Sequence, residues 1–204
     1  MNVSTRWGAP ALLTSLCALL LTACASPSPA PVLLTLPPAV SSSTLAPPAP
    51  AGSAPALAVR RVAIPEYMVA RRVRYRADAA TLAEWPNTYW AERIEIGVSR
   101  EFVSALRQQL PGWTLCDTNC GDQVPTLTLN VDLVPMDYLR GAQKLTARAR
   151  ITISGGGAVP QVIQVLEKAY ELPGNGDNAQ AQAITELIRQ VATVAGPLVQ
   201  AAPR

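Results

Sequence analysis

"TLTLNVDLV" (Thr126–Val134) and "KLTARARITIS" (Lys144–Ser154) each alternate apolar and polar residues. Successive side chains on a strand point to opposite faces, so this pattern predicts two half-buried strands. The first turns Leu127, Leu129, Val131 and Leu133 inward against Thr128, Asn130 and Asp132 outward. The second turns Leu145, Ala147, Ala149, Ile151 and Ile153 inward against Thr146, Arg148, Arg150 and Thr152. Gly155-Gly156-Gly157 leads into a further strand over about 161–172, which Pro173-Gly174-Asn175-Gly176 ends.

Upstream, "ALAVRRVAIP" (56–65) reads as a strand closed by Pro65, and the aromatic-rich stretch up to Asn87 reads as irregular. Ile94, Val98, Phe102, Leu106 and Leu110 recur every fourth residue beside Ala91 and Ala105, which predicts a helix over 88–110 ended by Pro111-Gly112. Downstream, Ile184, Leu187, Ile188, Val191, Val194 and Leu198 form one stripe of a last helix capped by Asp177 or Asn178. Gly196-Pro197 marks its end or a kink. Strand, helix, three or four strands and helix make an α/β single domain over 57–204: a mixed β-sheet with two main helices packed on it.

The N-terminus is of another kind. Arg6 precedes a leucine-rich run, Ala11–Ala23, without charge, and residues 1–23 read as a signal peptide, since the run is too short to span a bilayer. Leu21-Thr22-Ala23-Cys24 matches the bacterial lipobox, making Cys24 the expected lipidation site and first residue of the mature chain. More than one acyl chain gives stable anchoring. Ala25 follows where Asp would favour retention at the inner membrane, so the expected location is the periplasmic side of the outer membrane. Residues 24–56 carry no charge and no aromatic and are rich in proline and alanine. Such a segment buries too little apolar surface to order itself and is expected to be a disordered tether, reaching up to about 100 Å at polyproline spacing.

Four cysteines are present; Cys17 leaves with the signal peptide and Cys24 takes lipid, so Cys116 and Cys120 remain as an expected disulfide across Asp117-Thr118-Asn119. A metal site is disfavoured, because the chain has no histidine and no second cysteine pair to complete four ligands. The lack of histidine also excludes Ser-His and Cys-His nucleophiles. "SGGGA" (154–158) lacks the lysine of a phosphate-binding loop, and Ser99 lies inside a predicted helix rather than on a nucleophile elbow. Glu92, Glu95 and Glu101 read as the solvated face of that helix. No catalytic residue and no cofactor is therefore expected; binding is.

Residues 60–76 hold six arginines against Glu66 alone, while the rest of the mature chain has more acids than bases. In "RRVRYR" (71–76) Arg72, Arg74 and Arg76 share one face if the stretch is an edge strand. Arginine beside aromatics is the usual composition of a protein interface. Tyr67, Arg71, Arg72, Arg74, Arg76, Trp85, Tyr89 and Trp90 are thus the expected contact surface, for a partner or a second copy of the chain. The competing reading is that the arginines protect an exposed edge and that Trp90 and Tyr67 cover the end of the core. Nucleic acid is not an expected partner in that compartment.

The lipobox, "VAIPEYM" (62–68), "NTYWAERIEIGVSREFVSALRQQL" (87–110) with Trp90-Ala91-Glu92 opening the helix, and the alanine-rich last helix together resemble the ABC-type transport auxiliary lipoproteins, the PqiC-like family. Tyr89 and Arg93 stand where that pattern has Arg and Pro, and Met136-Asp137 where it has Phe-Asp. The resemblance implies a fold similar to the TolB N-terminal domain and to anticodon-binding domains. It also implies a partner, the MCE-domain protein of a transport system that moves phospholipid or other apolar molecules between two membranes. The alternative function is a carrier or assembly lipoprotein that itself binds lipid or lipopolysaccharide.

Overall fold

The computed structural model describes residues 29–40, 54–116, 120–121, 123–155, 161–173 and 176–203. The chain divides into two compact units, Met1–Ala30 and Pro31–Arg204, and the fold is that of the second. The signal peptide and Cys24 lie outside the described residues.

Eight described strands form one mixed sheet: β1 (Val32–Leu34), β2 (Ala56–Val59), β3 (Arg72–Arg76), β4 (Leu82–Trp90), β5 (Thr114–Cys116), β6 (Leu127–Leu139), β7 (Lys144–Gly155) and β8 (Val162–Pro173). Helices α1 (Ile94–Gln109) and α2 (Gly176–Ala201) pack together on it. The long β6 organises the sheet. Antiparallel β7 runs along its whole length and carries β8. Along its other side, β2 pairs parallel with its first residues and carries β5, while β3 meets it at Leu139 and carries β4 and then β1.

The alternation in β6 and β7 gives their burial. Leu127, Leu129, Val131 and Leu133 are buried, as are Leu145, Ala147, Ala149, Ile151 and Ile153 opposite them. At Val134-Pro135 the register shifts by a bulge, and the parity flips: Met136 and Tyr138 now face the core and Asp137 faces outward. Met136-Asp137 therefore lies within the strand rather than after it. Val98, Phe102, Leu106 and Leu110 from the first helix meet Ile184, Leu187, Ile188 and Val191 from the second in one core.

The structure corrects four sequence expectations. The stretch between Pro65 and Asn87 is not irregular: it holds a short 3-10 turn, Glu66–Met68, and the β3–β4 pair. Helix α1 begins at Ile94 rather than 88, and Trp90 ends a strand instead of opening a helix. The last helix runs through Gly196-Pro197 to Ala201. A Cβ at Gly196 would lie 2.5 Å from the Gln109 Cβ, so this glycine serves the close approach of the two helices, not a helix stop.

The fourth concerns the tether. Part of the segment expected to be disordered belongs to the domain. β1 adds parallel to β4, and the chain then crosses both helices as a strap. Leu34, Leu36 and Ala39 are buried. The Ala39 N–H donates to Glu101 Oε2 on α1 at 2.9 Å, and Thr185 Oγ1 on α2 donates to the Pro37 carbonyl at 3.1 Å. Residues 41–53 of the expected tether lie outside the described residues.

Candidate interaction surfaces

The arginines of β3 share one face, because Val73 and Tyr75 between them turn into the core. They do not form a free edge. β3 lies between β4 and β6, and its cations are engaged within the fold. Glu84 on β4 takes both Arg72 and Arg74, each at 3.3 Å. Arg74 also donates to the Tyr67 carbonyl at 3.2 Å. Arg76 pairs with Asp137 at 3.0 Å, and the Tyr67 hydroxyl donates to the same carboxylate at 2.8 Å. Burial first, and the Asp137 carboxylate second, push the Tyr67 phenol above its ordinary value. The bulge in β6 is what turns Asp137 outward to meet these two groups.

The aromatics behave likewise. Trp85 donates its Nε1 to Gln180 Oε1 on α2 at 2.8 Å, and Gln180 in turn donates to the Arg74 carbonyl at 2.8 Å. The Trp85 ring lies 4.9 Å from that of Tyr75, with the Arg140 guanidinium 4.5 Å from its centroid. These contacts fasten the start of α2 to the sheet. Trp90 is buried and covers the core, as the competing reading had it; its Nε1 has no partner among the described residues. It lines a cleft of about 390 Å³ with Arg71, Glu92 and Arg93. Of the eight expected contact residues, Arg71 and Arg72 are exposed; Tyr89, which pairs with β1, is half-buried like Tyr67, Arg74, Arg76 and Trp85, with the Arg72 guanidinium 5.3 Å over its ring. Arg71 makes no ion pair among the described residues.

A second group of cations lies outside the expected contact surface. Arg60 and Arg61 follow β2, and Arg107 lies near the end of α1; with Ile96, Val103 and Leu115 they line an open cleft of about 320 Å³. None of the three makes an ion pair among the described residues. Arg100, in the same cleft, is held by Glu92 through two bonds of 2.7 Å, which draws the Glu92 carboxyl below its ordinary range and raises the guanidinium. The signal was in the sequence. Ile96, Arg100, Val103 and Arg107 follow helical spacing of four, three and four, a second stripe beside the core stripe of α1.

Cys116 borders this cleft and is bonded to Cys120, their Cα atoms 5.1 Å apart. The three glutamates expected on one solvated helix face are not that: Glu92 precedes α1, and Glu95 and Glu101 are buried, Glu95 against Arg93 and Glu101 between Arg100 and the strap. Ser99 accepts from the Val62 N–H at 3.1 Å and donates to the Glu95 carbonyl at 2.8 Å, an architectural link between α1 and the chain after β2. No group of three or more metal-ligating side chains occurs among the described residues, and no described helix is long and apolar enough to cross a membrane.

Comparison with solved structures gives the fold. An uncharacterised protein of known crystal structure aligns with a TM-score of 0.57 and 18% identity, over 84% of this chain and 97% of its own. Protein XCC0632 from Xanthomonas campestris aligns with a TM-score of 0.57 and 16% identity, over 83% of this chain and 92% of its own. No curated protein matches. The family model for the ABC-type transport auxiliary lipoprotein component matches residues 34–194, from the end of β1 to within α2. That span takes in the strap, the arginine-rich strands and both helices, and the chain belongs to the ABC-type transport auxiliary lipoprotein component family.

Proposed function

We propose that the protein is a membrane-anchored periplasmic accessory subunit of an intermembrane lipid-transport system, held by lipid on Cys24 to the outer membrane and docked on the system's MCE-domain protein. The observation that carries this reading is family membership across nearly the whole folded domain. The family is a transport auxiliary component and not one of enzymes. The cleft between β2, α1 and β5 is the docking surface. Its three guanidinium groups, without an ion pair among the described residues and set around an apolar floor, suit an acidic partner segment that also carries apolar side chains, since arginine's forked donors meet carboxylates two at a time.

The test is affinity purification of the tagged, lipidated chain from gently solubilised envelopes, with mass spectrometry of proteins and lipids. Recovery of an MCE-domain protein is expected, and its loss in the Arg60→Ser, Arg61→Ser, Arg107→Ser variant places the contact at the cleft. Stoichiometric lipid without such a partner overturns the reading in favour of a lipid carrier.

A further inference from the structure

We propose that the β1 edge of the domain, with Leu33, Tyr89, Arg71 and Arg72 around it, rests on the surface of the lipid bilayer. This rests on the reading of Cys24 as the acylated residue. Because β1 is part of the sheet, seven residues, 25–31, separate Cys24 from Val32. At full extension such a segment covers about 28 Å. A folded domain of this size is roughly 40 Å across. The leash is therefore shorter than the domain, and the side of the molecule that bears β1 is the one that meets the headgroups.

The chemistry of that side fits an interfacial contact. Among the described strands β1 is at the edge of the sheet, pairing only with β4. Val32 is 44% exposed and Leu33 56% exposed, among the few large apolar side chains left in solvent. The register sets Leu33 beside Tyr89 and Tyr89 beside Arg72, so an aliphatic, an aromatic and a cationic side chain follow one another across three strands. Arg71 adds a charge with no ion pair among the described residues, and the Glu84 carboxylate that Arg72 contacts is shared with Arg74, leaving the edge net basic. Aliphatic groups enter the acyl boundary, tyrosine sits at headgroup depth, and guanidinium groups meet lipid phosphates. Each basic residue near an anionic surface adds attraction that salt weakens.

The experiment uses the full lipidated chain in vesicles of phosphatidylethanolamine and phosphatidylglycerol, spin-labelled at Leu33→Cys or, as a distant reference, at Val165→Cys. Cys24 is acylated and Cys116 bonded to Cys120, so only the introduced thiol reacts. At position 33 the label is expected to collide several-fold more with oxygen, relative to a water-soluble nickel chelate, than at 165. Arg71→Ser and Arg72→Ser together should reduce that ratio. Equal nickel access at the two positions, in protein whose mass shows lipid on Cys24, overturns the proposal and leaves the anchor reading intact. A mass without lipid overturns both. Spin–spin broadening at 33 identifies a second copy of the chain as the occupant and overturns the bilayer contact.

Discussion

The arginines of β3 and those around the α1 cleft are the same residue type in the same domain, yet they do different things. Arg74 and Arg76 are partly buried, each with a carboxylate supplied by a neighbouring strand, and they knit β3, β4 and β6 together. Arg60, Arg61 and Arg107 face solvent beside apolar side chains and make no ion pair among the described residues. Local charge density does not distinguish the two groups. What distinguishes them is whether the sheet register delivers an acid to the same face, and a residue 61 positions away, Asp137, decides it for Arg76.

The largest effect that would sharpen this contrast is expected from Asp137→Ala. It strips the acceptor from both Arg76 and Tyr67, and removing one partner of a partly buried charged bond costs about 2 kcal/mol. The urea midpoint should fall by roughly 1 M at an ordinary dependence on denaturant. A midpoint within error of the parent protein would show these arginines to be as dispensable as surface ones.

The triple replacement of Arg60, Arg61 and Arg107 by Ser is the counterpart. Stability should move by no more than about 0.5 kcal/mol, as for surface positions without partners, while partner recovery drops tenfold or more. A loss of stability comparable to that of Asp137→Ala would erase the distinction between the two groups.

The smallest effect is in alkaline solution. A phenol raised in the folded state contributes stability that is fully present below the unfolded tyrosine value, about 10, and is lost as pH rises past it. Tyr67→Phe should therefore flatten the decline of stability above about pH 10, followed by urea unfolding at stepped pH. Tyr170, raised by burial, accounts for part of the slope that remains. An unchanged slope would mean that the Tyr67–Asp137 contact does not hold its proton.

Period two in β6 and β7 and the four-residue stripe in α1 were legible in the sequence because burial there follows from each element's own pattern. β4 was not. "LAEWPNTYW" alternates only over its last three residues, with Thr88 and Trp90 inward, and Pro86 interrupts it. That proline is tolerated because β1 pairs with β4 only from Thr88 on, so no ladder bond is lost on that flank. β1 was hidden for a different reason. Val-Leu-Leu among prolines has no periodicity of its own, and it orders only because β4, α1 and α2 present a surface to it. The ion pairs of β3 are hidden on the same principle: an arginine's neighbours in sequence say little about the acid it meets in space.

The strap has a mechanical consequence. A pull on the N-terminal side of the chain enters the domain at β1, whose three residues share one short ladder with β4. Behind it, among the described residues, stand the Ala91–Leu34, Ala39–Glu101 and Thr185–Pro37 bonds and the buried side chains of Leu34, Leu36 and Ala39. Apart from these three side chains, the hydrophobic core between sheet and helices is not in that line of force. Under tension the strap should peel away first and lengthen the leash, while β2 through α2 stay folded. The molecule would yield in steps, a weak fuse in series with a strong body.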